Sequence, residues 1–129
     1  MICLKDYQEL EQDILYLEYR LEMSKNELRR QSYQDKDILL IAPGNAKTEE
    51  ILDQLKKELT YKKEQLQQLV NVVDKFKNVE HKILKLKYID GMKLDSIAEE
   101  LKYSPSYIKQ KHAEIMRRIK FVEELKSGG

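Results

Sequence analysis

The apolar residues of the first two thirds of the chain fall into two narrow stripes. Each advances in alternating steps of three and four residues, interrupted only by Ser24 in the first stripe and Lys62 in the second. The first comprises Cys3, Tyr7, Leu10, Ile14, Leu17, Leu21 and Leu28, and the second comprises Leu52, Leu55, Leu59, Leu66, Leu69, Val73 and Phe76. This spacing is typical of a coiled-coil seam. It predicts two long helices, the second with Thr48 as its N-cap.

The two seams allow a hairpin within one chain or an interface between two chains. Two stripes folded on each other make a thin core, and pairing with a second copy would bury more apolar surface. A homodimer is therefore favoured, and packing of the seams against the C-terminal part stays open. The predicted interface residues are Leu10, Ile14, Leu17, Leu21, Leu55, Leu59, Leu66 and Leu69.

A linker over residues 32–47 separates the two predicted helices, and it is longer than most connections in helical domains. It contains the apolar run Ile38, Leu39, Leu40 and Ile41, so it is not a simple flexible spacer. Two accounts remain open. The run either covers the hairpin or forms a short strand, or else it docks on a second protomer or another protein.

The C-terminal third has the order of a helix-turn-helix. Apolar residues at helical spacing run through 83–88, and Asp90-Gly91 ends that segment. The next apolar stripe consists of Leu94, Ile97, Ala98 and Leu101. Ser104 then serves as an N-cap, and Pro105 takes the first helical position, where no backbone N–H is needed.

The last helix has two distinct faces at about 100° per residue. Ile108, His112, Ile115 and Ile119 cluster on one side, which predicts a core face. The opposite side carries Ser106, Gln110, Ala113 and Arg117, flanked by Lys109 and Lys120. Gln pairs with an adenine edge and Arg or Lys with guanine, while a small Ala allows close approach. The alternative is an amphipathic helix whose polar face is merely solvated.

These residues carry a resemblance to a known family. Residues 83–110, from Ile83-Leu-Lys-Leu-Lys-Tyr to Ser-Tyr-Ile-Lys-Gln110, resemble region 4 of bacterial sigma-70 factors, which reads the promoter −35 element. The correspondence runs on through Arg117 and Ile119. The whole chain is similar to small phage and prophage late-transcription regulators of the ArpU and RinA type. The resemblance implies double-stranded DNA binding, with Ser106, Lys109 and Gln110 at the positions that contact bases and phosphates.

Three positions depart from the sigma pattern. Pro105 replaces an Arg after the cap, Lys93 replaces a Ser or Thr that caps the middle helix, and His112 replaces a Glu. The resemblance therefore implies DNA binding rather than a preference for the −35 sequence.

Charge is distributed unevenly along the chain. Residues 1–75 contain 12 Lys and Arg against 15 Asp and Glu, whereas residues 76–129 contain 12 against 8. The basic excess lies with the predicted DNA-reading part, where phosphates would need neutralising. Because the excess is small, a dimer or a partner such as RNA polymerase would strengthen binding.

Candidate chemistry is sparse. The two histidines, His81 and His112, stand in no cluster with metal-ligand spacing, and His112 is expected to be packed and hydrogen-bonded. We expect no enzyme activity, no cofactor and no metal. The single Cys3 and the lack of a signal-like apolar segment at the N-terminus predict a cytoplasmic protein. The longest aliphatic run, residues 38–42, is too short to span a membrane.

The sequence thus predicts an all-α fold, with a helical hairpin or coiled coil over residues 1–76 and a helix-turn-helix domain over 77–126. We expect a DNA-binding transcriptional regulator, with Ser104 to Lys120 in the major groove. Two alternatives remain: an adaptor that acts on RNA polymerase or another regulator, and a DNA-packaging accessory similar to small terminase subunits.

Overall fold

The computed structural model describes residues 3–34 and 43–127, with side chains over 3–30 and 47–126. A short 3₁₀ turn, Leu4–Asp6, precedes helix α1, Tyr7–Gln34, and helix α2 follows at Pro43–Asp74. Helix α3, Asn78–Leu84, continues into a π turn, Lys85–Ile89. Helices α4, Leu94–Leu101, and α5, Pro105–Ser127, complete the chain. Within the described ranges no strand occurs, so the all-α prediction is confirmed.

The ends of the predicted 32–47 linker are helical. Helix α1 continues through Gln34, and α2 begins at Pro43, so the prediction of Thr48 as N-cap was wrong. The physical reason is that proline at the first helical position loses no needed hydrogen bond and already has a helical φ. The apolar run at 38–41 lies outside the described residues.

The chain divides into two compact units, and the divisions fall inside α1 and α2. One unit is Glu9–Leu66, and the other combines Met1–Gln8 with Gln67–Gly129. The boundary predicted between residues 76 and 77 therefore lies within the second of these units.

In the unit Glu9–Leu66, the two seams pack on each other within one chain. Ile14 and Leu17 of α1 form a buried cluster with Leu55 and Leu59 of α2, and Leu21 and Leu66 pack against its edge. Lys62 lies 3.3 Å from a carboxylate oxygen of Asp13, beside this cluster. The middle parts of the two apolar stripes are thus buried against each other without a second copy.

Cys3 does not continue the first seam. It is exposed, and the neighbouring Leu4 is buried instead. The chain forms a 3₁₀ turn over Leu4–Asp6, and a turn of about three residues shifts the phase of the stripe relative to an α-helix.

The other unit has its own core, shared by α3, α4 and α5. Ile83, Ile97, Ala98 and Ile108 are fully or almost fully buried in it. A rim of partly buried apolar side chains surrounds them: Val79, Leu86, Met92, Leu94, Leu101 and Tyr107. The predicted stripe of α4 therefore faces this core.

The helical segment that begins with α3 ends before Asp90-Gly91, as the sequence predicted. The amide of Asp90 donates to the Lys85 carbonyl at 3.0 Å, which closes the π turn, and Gly91 follows with a φ of +75°. A left-handed φ is one that glycine adopts without steric cost. The π turn itself was not predicted, because one wider turn leaves the apolar spacing almost unchanged.

None of the helices within these ranges combines the length and apolar character that crossing a bilayer requires.

Candidate nucleic-acid interface

The connection between α4 and α5 is short and closely bonded. Lys102 ends α4 in the left-handed region, with a φ of 63°, and the Tyr103 amide donates to the Ala98 carbonyl at 2.9 Å. This is the Schellman arrangement, in which glycine or asparagine is the usual residue at the left-handed position. Ser104 follows Tyr103 and begins the turn into α5. Only three residues, 102–104, therefore connect the two helices and set the direction of α5.

Ser104 caps α5 as predicted. Its hydroxyl oxygen accepts a hydrogen bond from the Tyr107 amide at 3.2 Å, and Pro105 is the first helical residue. The cap satisfies one of the amide groups that a helix start leaves without a partner. Tyr103 and Tyr107 stack beside it, with ring centroids 4.7 Å apart.

The buried face of α5 follows the predicted angles. Ile108 and Ile115 have no exposed surface, and His112 and Ile119 are half-buried on the same side. This face fixes the rotation of the helix, because turning it would expose both isoleucines.

The opposite face of α5 is open to solvent. All seven side chains predicted to contact DNA are exposed: Ser104, Ser106, Lys109, Gln110, Ala113, Arg117 and Lys120. They present hydroxyl, amide, guanidinium and ammonium groups around one small residue. Such a surface can donate hydrogen bonds to phosphates and to base edges.

One of these cations has a carboxylate beside it that the sequence analysis missed. The Lys109 ammonium lies 3.6 Å from Asp95 Oδ1, on α4, and both side chains are more than half exposed. The pair links the two helices, yet an exposed ion pair contributes at most about 1 kcal/mol to stability. No sequence signal marked Asp95, because the pairing depends on how α4 and α5 cross.

A second ion pair attaches α5 to α3. Arg118 Nη2 lies 2.9 Å from Glu80 Oε2, and the Glu80 side chain is mostly buried. Arg118 therefore pairs with a residue of α3, whereas its neighbour Arg117 lies on the open face.

His112 has the packed, hydrogen-bonded setting that was predicted for it. Its Nε2 lies 2.6 Å from the hydroxyl of buried Tyr88. Burial lowers the pKa of His112, and the nearby positive charges of Lys87 and Lys5 lower it further. Burial raises the pKa of Tyr88, with a smaller contribution from Cys3. The pair is therefore uncharged at neutral pH and belongs to the support of α5 rather than to its open face.

N-terminal residues support the turn that precedes α4. Gln8 Nε2 donates to the Tyr88 carbonyl at 3.2 Å and to the Ile89 carbonyl at 2.6 Å. Leu4 is buried in the same unit. Sequence reasoning placed both residues in a different domain, and no local pattern could have linked them to positions 80 residues away.

The predicted oligomer-interface residues have a different environment from the face predicted to bind DNA. Leu10, Ile14, Leu17, Leu55, Leu59 and Leu69 are buried within the single chain, and Leu21 and Leu66 are half-buried. The four side chains of the buried cluster, Ile14, Leu17, Leu55 and Leu59, are therefore not accessible to a second copy in this structure.

Comparisons with family models, with curated proteins and with solved structures found no match to this chain. The resemblance to sigma-70 region 4 and to phage regulators therefore stays a prediction. Across the ranges that the structure describes, no three His, Cys, Asp or Glu side chains gather as metal ligands would.

Proposed function

We propose that the chain is a sequence-specific regulator that binds double-stranded DNA, of the phage or prophage transcription type. In this proposal α4 and α5 act as a helix-turn-helix, and residues 104–120 of α5 enter the major groove. The observation that supports it best is the division of α5 into a face that carries the fully buried Ile108 and Ile115 and an exposed polar and basic face. The cap at Ser104 adds support, because it fixes where the recognition helix begins.

Each exposed residue has a role that its chemistry permits. Gln110 is suited to the paired donor and acceptor of an adenine, and Arg117 to guanine or a phosphate. Ala113 lies between them on the same face and would let the helix approach the base edges. Lys109 and Lys120 flank this strip and would contact the DNA backbone, which contributes affinity without sequence preference.

The modest basic excess of residues 76–129 makes a single copy a weak binder. We therefore include a homodimer in the proposal, with α1 and α2 as a helical hairpin that carries the contact between copies. Two recognition helices would then read two half-sites, and the tether between them would raise the affinity of the pair above that of either one.

The proposal is tested by anisotropy of labelled duplexes, first a random-sequence pool and then the duplexes selected from it. We expect the logarithm of the association constant to fall linearly with the logarithm of salt concentration. Lys120→Ala should weaken binding to all duplexes equally and lower that slope by about 1. Gln110→Ala should reduce discrimination between selected and random duplexes by about 1–3 kcal/mol.

A matched control is available on α2. Lys57 is exposed and lies outside the proposed face, so Lys57→Ala makes the same charge change without touching it. Equal loss of binding in Lys57→Ala and Lys120→Ala would contradict the assignment of the face. Undetectable binding of the unmodified chain at low salt would remove the proposal.

A second candidate is a protein adaptor that docks on RNA polymerase or another regulator. Exposed apolar side chains at the end of α5 favour it, namely Phe121, Val122 and Leu125. For an adaptor, Lys109→Ala and Gln110→Ala would leave partner binding intact, and Phe121→Ser would weaken it. The same variants give the opposite ranking if DNA is the ligand.

A further inference from the structure

Helix α1 has a second apolar face that the described residues leave exposed. Leu15, Tyr16, Tyr19 and Met23 are 62%, 60%, 62% and 53% exposed. Leu15, Tyr19 and Met23 follow at four-residue steps, so they line one side of the helix. At about 100° per residue this side lies opposite the seam that contains Ile14 and Leu17. We call these four residues the outer α1 face.

We propose that the outer α1 face is the surface on which a second copy of this chain docks, with the two α1 helices antiparallel. This inference rests on the homodimer of the proposed function. It assigns the contact between the two copies to the outer α1 face rather than to the buried seams.

The charge pattern of α1 favours the antiparallel pairing of two copies. Residues 9–18 contain four acidic residues and no basic ones, whereas residues 20–30 contain four basic and two acidic ones. An antiparallel neighbour sets the acidic half of one helix against the basic half of the other, and a parallel neighbour sets like against like. Asp13 and Glu18 also have partners within the chain, since they lie 3.3 and 4.0 Å from lysines of α2. Glu9 and Glu11 lie toward one end of the described part of α1 and Arg29 toward the other, so the antiparallel pairing of two copies sets opposite charges beside each other.

Tyr19 is the natural centre of such a pair. With Tyr19 on the two-fold axis, Leu15 of one copy lies against Met23 of the other, and the reverse contact repeats on the far side. Tyr16 already has the Arg20 guanidinium 5.8 Å from its ring centroid, so this end of the face also presents a cation to the partner. Aromatic and methionine side chains are the types enriched at interface centres.

The exposed area of the outer α1 face sets the expected affinity between the two copies. The four side chains expose roughly 400–500 Å² on each copy, about the size of the largest apolar patch on a typical monomer, which is often functional. Two copies would bury roughly 1,000 Å² from these residues, near the lower limit of specific interfaces. We therefore expect a reversible dimer, with a dissociation constant of about 1–100 µM.

Sedimentation velocity of the full chain without DNA, from about 2 to about 500 µM, tests the proposal across this range. We expect a monomer–dimer equilibrium in the unmodified chain. Tyr19→Glu places two carboxylates against each other at the axis and should weaken the dimer at least about 10-fold. The matched control is Tyr61→Glu on α2, since Tyr61 is 58% exposed but lies off this face. It should leave the equilibrium unchanged, and circular dichroism should show that both variants keep their helix content.

Cross-linking tests the direction of the helices. In a Cys3→Ser background, Leu15→Cys and Met23→Cys chains are mixed and treated with a short thiol cross-linker. The antiparallel pair predicts the mixed adduct, with little adduct from either variant alone. Efficient cross-linking of Leu15→Cys to itself would overturn the antiparallel pairing.

Three further results would overturn the proposal. The first is a monomer at every concentration, and the second is an equal weakening of the dimer by Tyr19→Glu and Tyr61→Glu. The third is a ring-sized oligomer, which would favour the DNA-packaging hypothesis. A chain that stays monomeric would count against the proposal in two cases alike. In one, residues 38–41 of the same chain cover the outer α1 face, and in the other nothing covers it. Because no DNA is present, these outcomes are separate from success or failure of the DNA-binding proposal.

Discussion

The carboxylate of Asp95 opposes the proposed role of Lys109. It lies 3.6 Å from the ammonium group, so part of the positive charge on the open face of α5 is already balanced. A phosphate approaching Lys109 must displace Asp95 or tolerate a second negative charge beside it. On the proposed function, Asp95 of α4 would therefore weaken the binding of a phosphate to Lys109 of α5.

Asp95→Asn should raise the affinity for random-sequence DNA and steepen its salt dependence by up to about 1, because Lys109 becomes available to a phosphate. Anisotropy at several salt concentrations measures both quantities. Asp53→Asn is the control, since it makes the same change in another exposed pair, with Lys57 on α2. If the two variants raise the affinity equally, Asp95 has no special effect on Lys109.

The lowered pKa of His112 should make the stability of the fold depend on pH. Its pKa is lowered in the folded chain, chiefly by burial, so the unfolded chain binds the proton more readily. Stability should therefore be constant above the unfolded pKa of about 6.5 and fall as pH drops below it. Urea unfolding at pH 7.5 and pH 5.5 should show a smaller loss in His112→Gln than in the unmodified chain. Identical losses would mean that carboxylates alone cause the decline.

At the scale of the element, α5 depends on a cap that the sequence alone could identify. Ser104 precedes Pro105 and an apolar stripe, and each signal is local, so the prediction of where α5 begins was confirmed. The start of α2 was missed because Thr48 gave a competing signal and Pro43 lay among residues assigned to a linker.

Ser104→Ala should lower the free energy of unfolding by about 1 kcal/mol, because the Tyr107 amide loses its acceptor. Ser106→Ala is the matched control two residues later, on the exposed face of the same helix. It should be neutral or slightly stabilising, since alanine favours helix more than serine. Urea denaturation measures both. A similar cost at both positions would show that the hydroxyl of Ser104 is not acting as a cap.

The whole molecule combines contacts that a sequence pattern predicts with others that it does not. Periodicity predicted that Ile108 and Ile115 are buried, because a helix repeats at a known angle. Periodicity could not predict the pairing of Lys109 with Asp95, because that contact depends on the angle at which α4 and α5 cross. It also could not predict the hydrogen bonds from Gln8 to the π turn. It also left Leu15, Tyr19 and Met23 unassigned, because a narrow seam says nothing about a second apolar side of the same helix.

Gln8 acquires its hydrogen-bond partners only after most of the described residues have been synthesised. Gln8 bonds to carbonyl groups 80 and 81 residues further along the chain, whereas Glu9–Leu66 contains its own buried cluster. During synthesis the helical pair can close as soon as residue 66 has emerged, but the N-terminal segment must wait for α3 and the π turn. On the proposed function, α1 and its outer face are therefore made before the proposed DNA-binding helix α5, so two copies made on one messenger would pair before either could bind DNA.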